Sequence, residues 1–183
     1  MTESKRVPAA APAGAWDRHE IVRLLLLAGE RALALRRGLT YELKSDRSLV
    51  TQADREIEAL FAAEFDRPER GVHLIGEETV AGKGEDYISA ALSATAYVVD
   101  PIDGTSPYAH RLPTWGVSVG RMEGGTLTDG AVFLPELRLM AASDGPAVLL
   151  GNREEGSSSW SWGELSTPPV EDGPGGLVAI TQD

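Results

Sequence analysis

The sequence contains no cysteine, which excludes disulfides, thiolate metal sites and a cysteine nucleophile. This absence is compatible with the cytoplasm, where we expect the protein to reside. Basic residues are also scarce: 17 Lys and Arg stand against 28 Asp and Glu, for a formal net charge of −11. This balance argues against a broad basic surface for nucleic acid or for an anionic membrane. An acidic protein that binds an anion needs local positive charge, which a bound cation can supply.

Long apolar runs are missing as well. The most apolar stretch, residues 21–28, contains Arg23 and is far shorter than the roughly 20 residues of a membrane-spanning helix. Residues 1–15 are polar and then rich in Ala and Pro, without the apolar segment of a signal peptide. We therefore expect a flexible leader and no membrane partner.

Two long amphipathic helices are predicted near the N-terminus. The first covers residues 17–37, with Asp17 as its N-cap and Gly38 as its stop. The second covers residues 52–65, with Thr51 as N-cap and Asp54 as its capping partner.

Short strands follow from residue 72 onward. Periodicity and turn residues predict strands over 72–75, 96–99, 115–121, 126–133, 138–142 and 148–150, with a short helix over 85–92. The close spacing of the later strands predicts an antiparallel meander. The expected fold is α+β, with two long N-terminal helices packed on a mostly antiparallel sheet.

The composition suggests where this domain ends. We predict one N-terminal α+β domain over residues 16–150. Residues 151–176 are more than half Gly, Pro and Ser, so they are predicted to form a linker or long surface loop. Residues 177–183 then read as the first strand of an incomplete C-terminal domain.

Residues 100–105, Asp-Pro-Ile-Asp-Gly-Thr, are the main chemical signal. Asp100 and Asp103 follow a buried strand and offer the oxygen ligands that Mg²⁺ prefers. The backbone N–H groups of Gly104 and Thr105, at a helix start, would face a phosphate. An ordinary Asp-rich turn with a helix cap is the plain alternative.

Two further polar clusters accompany this segment. Gly76, Glu77 and Glu78 stand at a strand end, and the second cluster comprises Lys44, Asp46, Ser48, Thr51 and Asp54. Each has a simpler explanation, as solvated surface for the glutamates and as helix capping for Thr51 and Asp54. Together, the three clusters could converge on one pocket, as metal-assisted phosphate hydrolysis requires. The three histidines (His19, His73 and His110) show no metal-binding spacing and are predicted to be structural or exposed.

The order of these motifs resembles the inositol monophosphatase family. The resemblance rests on K-x-D-x-S-x-V-T-x-A-D (residues 44–54), G-E-E (76–78), D-P-I-D-G-T (100–105) and H-R-L-P-T-W-G-V-S-V-G (110–120). It implies a magnesium-dependent, lithium-sensitive phosphomonoesterase of stacked helix and sheet layers, acting on a small phosphorylated metabolite.

The resemblance also implies a role for each motif residue. Glu77, Asp100 and the carbonyl of Ile102 would hold one Mg²⁺, and Asp100 with Asp103 would hold a second. Thr105 with Asp46 would orient and deprotonate the attacking water. The amides of Gly104 and Thr105 would hold the phosphate, and Glu78 would have a supporting role.

One departure from the family pattern leaves alternatives open. The family completes its second metal site with the Asp of a W-D-x-x-A-type motif, whereas neither Trp160 nor Trp162 is followed by Asp. The chain is then either a fragment or a shortened relative that binds metal or a partner without turnover. An unfinished apolar surface would favour a homodimer.

Two finer alternatives concern the chemistry. Asp46 in K-x-D-x-S favours the histidinol-phosphate and nucleotide-phosphate branches of the family. A haloacid-dehalogenase-type phosphatase is a further alternative, but its D-x-D-G-T loop is one residue shorter than the D-x-x-D-G-T found here.

Overall fold

A computed structural model describes residues 14–38, 41–43, 49–80, 82–157 and 159–165; within them, side chains are not described for 41–43, 49–51, 78 and 79. The helices are α1 (Arg18–Leu35), α2 (Gln52–Phe65), α3 (Glu77–Val80), α4 (Glu85–Ser93) and α5 (Thr105–Ala109). The strands are β1 (Tyr41–Leu43), β2 (Leu49–Thr51), β3 (Val72–Gly76), β4 (Thr95–Asp103), β5 (Gly116–Glu123), β6 (Thr126–Leu134), β7 (Leu139–Asp144), β8 (Ala147–Asn152) and β9 (Ser161–Glu164). No helix within these residues has the length and apolarity needed to cross a bilayer.

Helix α1 begins where its sequence predicts. The carboxylate of Asp17 accepts hydrogen bonds from the backbone N–H groups of His19, at 2.9 Å, and of Glu20. The apolar stripe of α1 is buried, and Gly29 lies so close to β6 that a Cβ there would come within 2.4 Å of the Phe133 ring. The missing side chain therefore lets the helix pack tightly against the sheet.

The sheet confirms the predicted α+β fold. Its seven strands follow the order β3-β4-β5-β6-β7-β8-β9, in which only β3 and β4 pair in parallel. Strands β1 and β2 form a separate antiparallel pair. The core lies where the buried stripes of α1 and α2 pack on the sheet.

The parallel pairing of β3 and β4 determines where the candidate site residues lie. Helix α4 connects β3 to β4, as a parallel connection requires. The ends of β3 and β4 therefore lie side by side, with Gly76 opposite Val99.

The predicted leader and linker both need correction. Residues 1–13 lie outside the described residues, but the carbonyl of Gly14 accepts a hydrogen bond from Arg121 Nε at 2.6 Å, and that of Ala15 accepts one from the Tyr97 hydroxyl at 3.0 Å. The end of the predicted leader is thus fixed to the sheet.

In the segment predicted as a linker, β8 continues to Asn152 and β9 forms a further strand. The linker prediction is therefore wrong for these residues. The physical reason is aromatic packing: Trp160 meets the edge of Phe133 at 5.8 Å between ring centroids, and Gly151 provides the space for Trp162. The strand predicted within residues 177–183 lies outside the described residues.

Candidate metal and phosphate site

Parallel pairing of β3 and β4 brings two of the predicted ligands together. Gly76 pairs with Val99, and the residues that follow them are Glu77, which opens α3, and Asp100 in β4. The charge of Glu77 acts on Asp100. The pairing of β4 with β5 is irregular between Asp100 and Asp103, since Asp100 lies opposite Ser118 and Asp103 opposite Gly116. This register shift interrupts the ladder between the two aspartates.

Asp100 is the electrostatic centre of the site. Burial, followed by the charges of Asp103, Glu77 and Asp54, raises the pKa of Asp100 from 3.8 to about 6, and a backbone hydrogen bond from Ile102 opposes this shift. Its Oδ1 atom is buried without a hydrogen-bond partner among the described residues. Such an oxygen is costly unless a cation or donor meets it.

Helix α2 contributes two more acidic residues; the sequence placed Asp54 in a candidate polar cluster but gave it no role at the site, and it did not single out Glu58. Asp54 was interpreted as a helix-capping residue, but it is 1% exposed and its charge acts on Asp100. Glu58 is 2% exposed and its carboxyl group packs against Gly76. The sequence signal that could have revealed Glu58 is its spacing. Glu58 lies one turn after Asp54, on the same helix face as the apolar residues Ile57 and Phe61.

The segment that follows Asp103 has a conformation that requires glycine. Gly104 has φ 88° and ψ 53°, in the left-handed region, and a Cβ there would lie 3.1 Å from the Thr114 carbonyl oxygen. Helix α5 begins at the next residue, as the sequence predicts. The Thr105 hydroxyl donates to the Ile102 carbonyl at 3.1 Å, so two predicted site residues are in direct contact.

The remaining predicted residues are two acidic residues and the three histidines. Asp46 lies outside the described residues, as does the side chain of Glu78, whose backbone opens α3. Among the histidines, His73 is buried against Tyr87, with ring centroids 5.3 Å apart, while His19 and His110 are exposed. The structural or exposed roles predicted for them are confirmed.

The donor set fits a hard divalent cation. Within the described ranges, no three His, Cys, Asp or Glu side chains stand ready-made in a metal-binding arrangement. The charges that raise the pKa of Asp100 nevertheless act on a carboxyl group whose buried Oδ1 has no partner in the described part of the chain, and carboxylate oxygens are the ligands Mg²⁺ prefers. A bound cation would reduce the repulsion between the carboxylates and would give the buried oxygen of Asp100 a partner.

Comparison with known proteins identifies the family of this chain. The profile of the inositol monophosphatase family matches residues 21–177. The chain belongs to the inositol monophosphatase family. The inositol-1-monophosphatase of Mesorhizobium japonicum is 30% identical over 117 residues, which cover 63% of this chain and 42% of that protein.

Solved structures of the inositol monophosphatase fold agree. The Thermotoga maritima IMPase superposes with a TM-score of 0.58 at 25% identity, covering 80% of this chain and 51% of that one. An IMPase/NADP phosphatase solved with Mg²⁺ and phosphate also gives 0.58, at 21% identity, covering 71% and 48%. The chain thus spans about half the length of these relatives.

Proposed function

We propose that this chain supplies the metal- and phosphate-binding part of a magnesium-dependent phosphomonoesterase. The observation that carries the proposal is that the charges of Asp103, Glu77 and Asp54 all act on Asp100, shortly before the Gly104 turn. The buried Oδ1 atom of Asp100 has no hydrogen-bond partner among the described residues. Membership of the inositol monophosphatase family supports the same reaction. The family match gives no support to the haloacid-dehalogenase alternative.

The residues assigned to the cation are those of the two strand ends. Glu77, Asp100 and the Ile102 carbonyl would hold one Mg²⁺, and Asp100 with Asp103 would hold a second. When bound, the cations would offset the carboxylate charge, lower the pKa of an attacking water and stabilise the leaving oxygen. The Ile102 carbonyl can serve here while it accepts from Thr105, because a carbonyl oxygen has two lone pairs.

The protein's own groups would orient the water and the phosphate. Since the Thr105 hydroxyl donates its hydrogen to the Ile102 carbonyl, its lone pairs remain available to accept a hydrogen bond from the attacking water. Asp46 would take the proton from that water. The amides of Gly104 and Thr105 would bind phosphate oxygens, and Glu78 would support the arrangement.

The proposed substrate is a small phosphomonoester of the inositol monophosphate kind. This choice follows the name of the Mesorhizobium relative, and sensitivity to lithium is proposed with it from the family resemblance. Because the chain spans only 42% of that relative, the activity, substrate and homodimeric state of the whole protein belong to the proposal.

A second candidate function is binding without turnover. It is favoured by one observation, namely that the matched segment covers only 42% of the Mesorhizobium relative. Such a chain would bind metal, phosphate or a partner through the same residues.

Phosphate release distinguishes the two candidates. The assay uses inositol, histidinol and adenosine monophosphates, with Mg²⁺ or EDTA and with or without Li⁺. Asp103→Asn should abolish turnover, whereas Asp144→Asn, on an exposed residue at the opposite sheet end, should leave it unchanged. Turnover retained in Asp103→Asn would contradict the proposed site. Magnesium binding by the wild type without any turnover would favour the second candidate.

A further inference from the structure

Arg36 is a buried cation that the proposed chemistry does not use. It directly follows α1, and its side chain is only 8% exposed. Its Nε donates to the Tyr108 carbonyl and its Nη2 to the Leu112 carbonyl, both at 2.9 Å. Its Nη1 donates to Glu136 Oε1 at 2.5 Å. The guanidinium thus joins three segments that are distant in sequence.

Two aromatic rings complete the surroundings of Arg36. The guanidinium carbon lies 5.4 Å from the Tyr108 ring centroid and 5.8 Å from that of Trp115. These rings meet edge to face at 4.8 Å, and the Tyr108 hydroxyl donates to the Ala32 carbonyl at 2.7 Å. A planar group with forked donors suits this place, whereas a lysine ammonium would not reach both carbonyls.

The contacts of Arg36 lie on both sides of residues 103–105. On one side, Tyr108 belongs to α5, and its backbone N–H donates to the Gly104 carbonyl at 2.9 Å. On the other side, Trp115 immediately precedes Gly116, the residue that pairs with Asp103. The backbone at Gly104 itself packs against the Thr114 carbonyl. Arg36 therefore contacts two segments that adjoin the turn at Gly104, namely α5 directly after it and Trp115 next to the strand partner of Asp103.

Glu77 and Asp100 depend on different contacts. Asp100 lies within β4, where the sheet ladder holds it, and Glu77 opens α3 directly after the paired end of β3. The turn at Gly104 has no such ladder beyond Asp103. Loss of Arg36 should therefore disturb the turn more than the strand ends.

We propose that Arg36 is a positioning residue for phosphate binding, acting through Tyr108, Leu112 and Trp115 on the turn at Gly104. This inference rests on the proposed function, in which that turn binds the phosphate. Arg36 itself would not touch the substrate.

Separate titrations of Mg²⁺ and inorganic phosphate test this role. Calorimetry on folded protein measures Mg²⁺ alone, and then inorganic phosphate at saturating Mg²⁺. Arg36→Met and Arg36→Lys should each weaken phosphate binding by about tenfold or more while Mg²⁺ affinity changes by less than about threefold. Arg23→Met, at an exposed arginine of α1 that pairs with Glu20, is the matched control and should change neither.

A second variant and two contrary outcomes complete the test of the positioning role of Arg36. Glu136→Gln removes one ion-pair partner but leaves both carbonyl contacts, so phosphate affinity should stay close to wild type even if Arg36→Met does not fold. Unchanged phosphate affinity in a folded Arg36 variant, whatever its unfolding temperature, would overturn the positioning role alone. Absence of phosphate binding in the wild type would overturn the proposed function and this inference with it.

Discussion

The carboxyl group of Glu58 occupies the space that a side chain at Gly76 would need. A Cβ on Gly76 would lie 2.3 Å from Glu58 Cδ and 2.6 Å from its Oε1. Gly76 thus lets α2 approach the end of β3, immediately before Glu77. The glycine of the G-E-E motif has a packing role that requires no unusual backbone angle.

This contact predicts that Gly76→Ala destabilises the fold by about 1–3 kcal/mol, because the new methyl group must displace a buried carboxyl. Urea unfolding gives the free energy. Gly163→Ala is the control, since a Cβ there meets nothing within 4 Å. In a Glu58→Ala background the cost of Gly76→Ala should shrink, and an equal cost in both backgrounds would contradict the contact as its cause.

The pKa of Asp100 predicts a dependence of stability on pH in metal-free protein. The folded-state pKa is raised to about 6 from 3.8, so the contribution of Asp100 to stability is full below about pH 4 and is lost as the pH rises through 6. Asp100→Asn should therefore stabilise the protein at pH 7.5, by about 1–2 kcal/mol after allowing for solvent screening. At pH 4 the gain should nearly vanish in urea unfolding with EDTA. A gain of equal size at both values would show that ionisation of Asp100 is not its source.

The same ionisation predicts competition between protons and Mg²⁺. A carboxylate must lose its proton to bind the metal, so Mg²⁺ should bind about fourfold more weakly at pH 5.5 than at pH 8. Calorimetric titrations at both pH values, in buffers of different ionisation enthalpy, also report the proton released at pH 5.5. Equal affinity without proton release would place the metal away from Asp100.

The Gly104 turn predicts a difference between two glycines with similar backbone angles. Gly104 has φ 88° and a close carbonyl neighbour, whereas Gly71 has φ 70° and nothing within 4 Å of its Cβ position. Both alanine variants should lose about 1 kcal/mol of stability to backbone strain. Only Gly104→Ala should also weaken phosphate binding in the presence of Mg²⁺. The idea fails if Gly71→Ala weakens phosphate binding as much.

The sequence allowed the α+β fold and part of the site to be predicted. Capping by Asp17, the apolar stripes and the strand ends at Glu77 and Asp100 are local signals, and the structure agrees with them. Glu58 and Arg36 were missed because their burial depends on partners far along the chain, Gly76 for one and Tyr108 for the other. Strand β9 was missed for the same reason, since Gly151 accommodates its Trp162 and Phe133 contacts Trp160, directly before the strand.

The central claim is that Glu77, Asp100 and Asp103 form a divalent cation site. It is tested most directly by calorimetric titration of Mg²⁺ into the whole chain at pH 7.5, with Asp103→Asn and Asp144→Asn alongside. We expect saturable Mg²⁺ binding in the wild type and in Asp144→Asn, and a loss of at least about tenfold in Mg²⁺ affinity in Asp103→Asn. No binding in the wild type, or equal binding in Asp103→Asn, would contradict it.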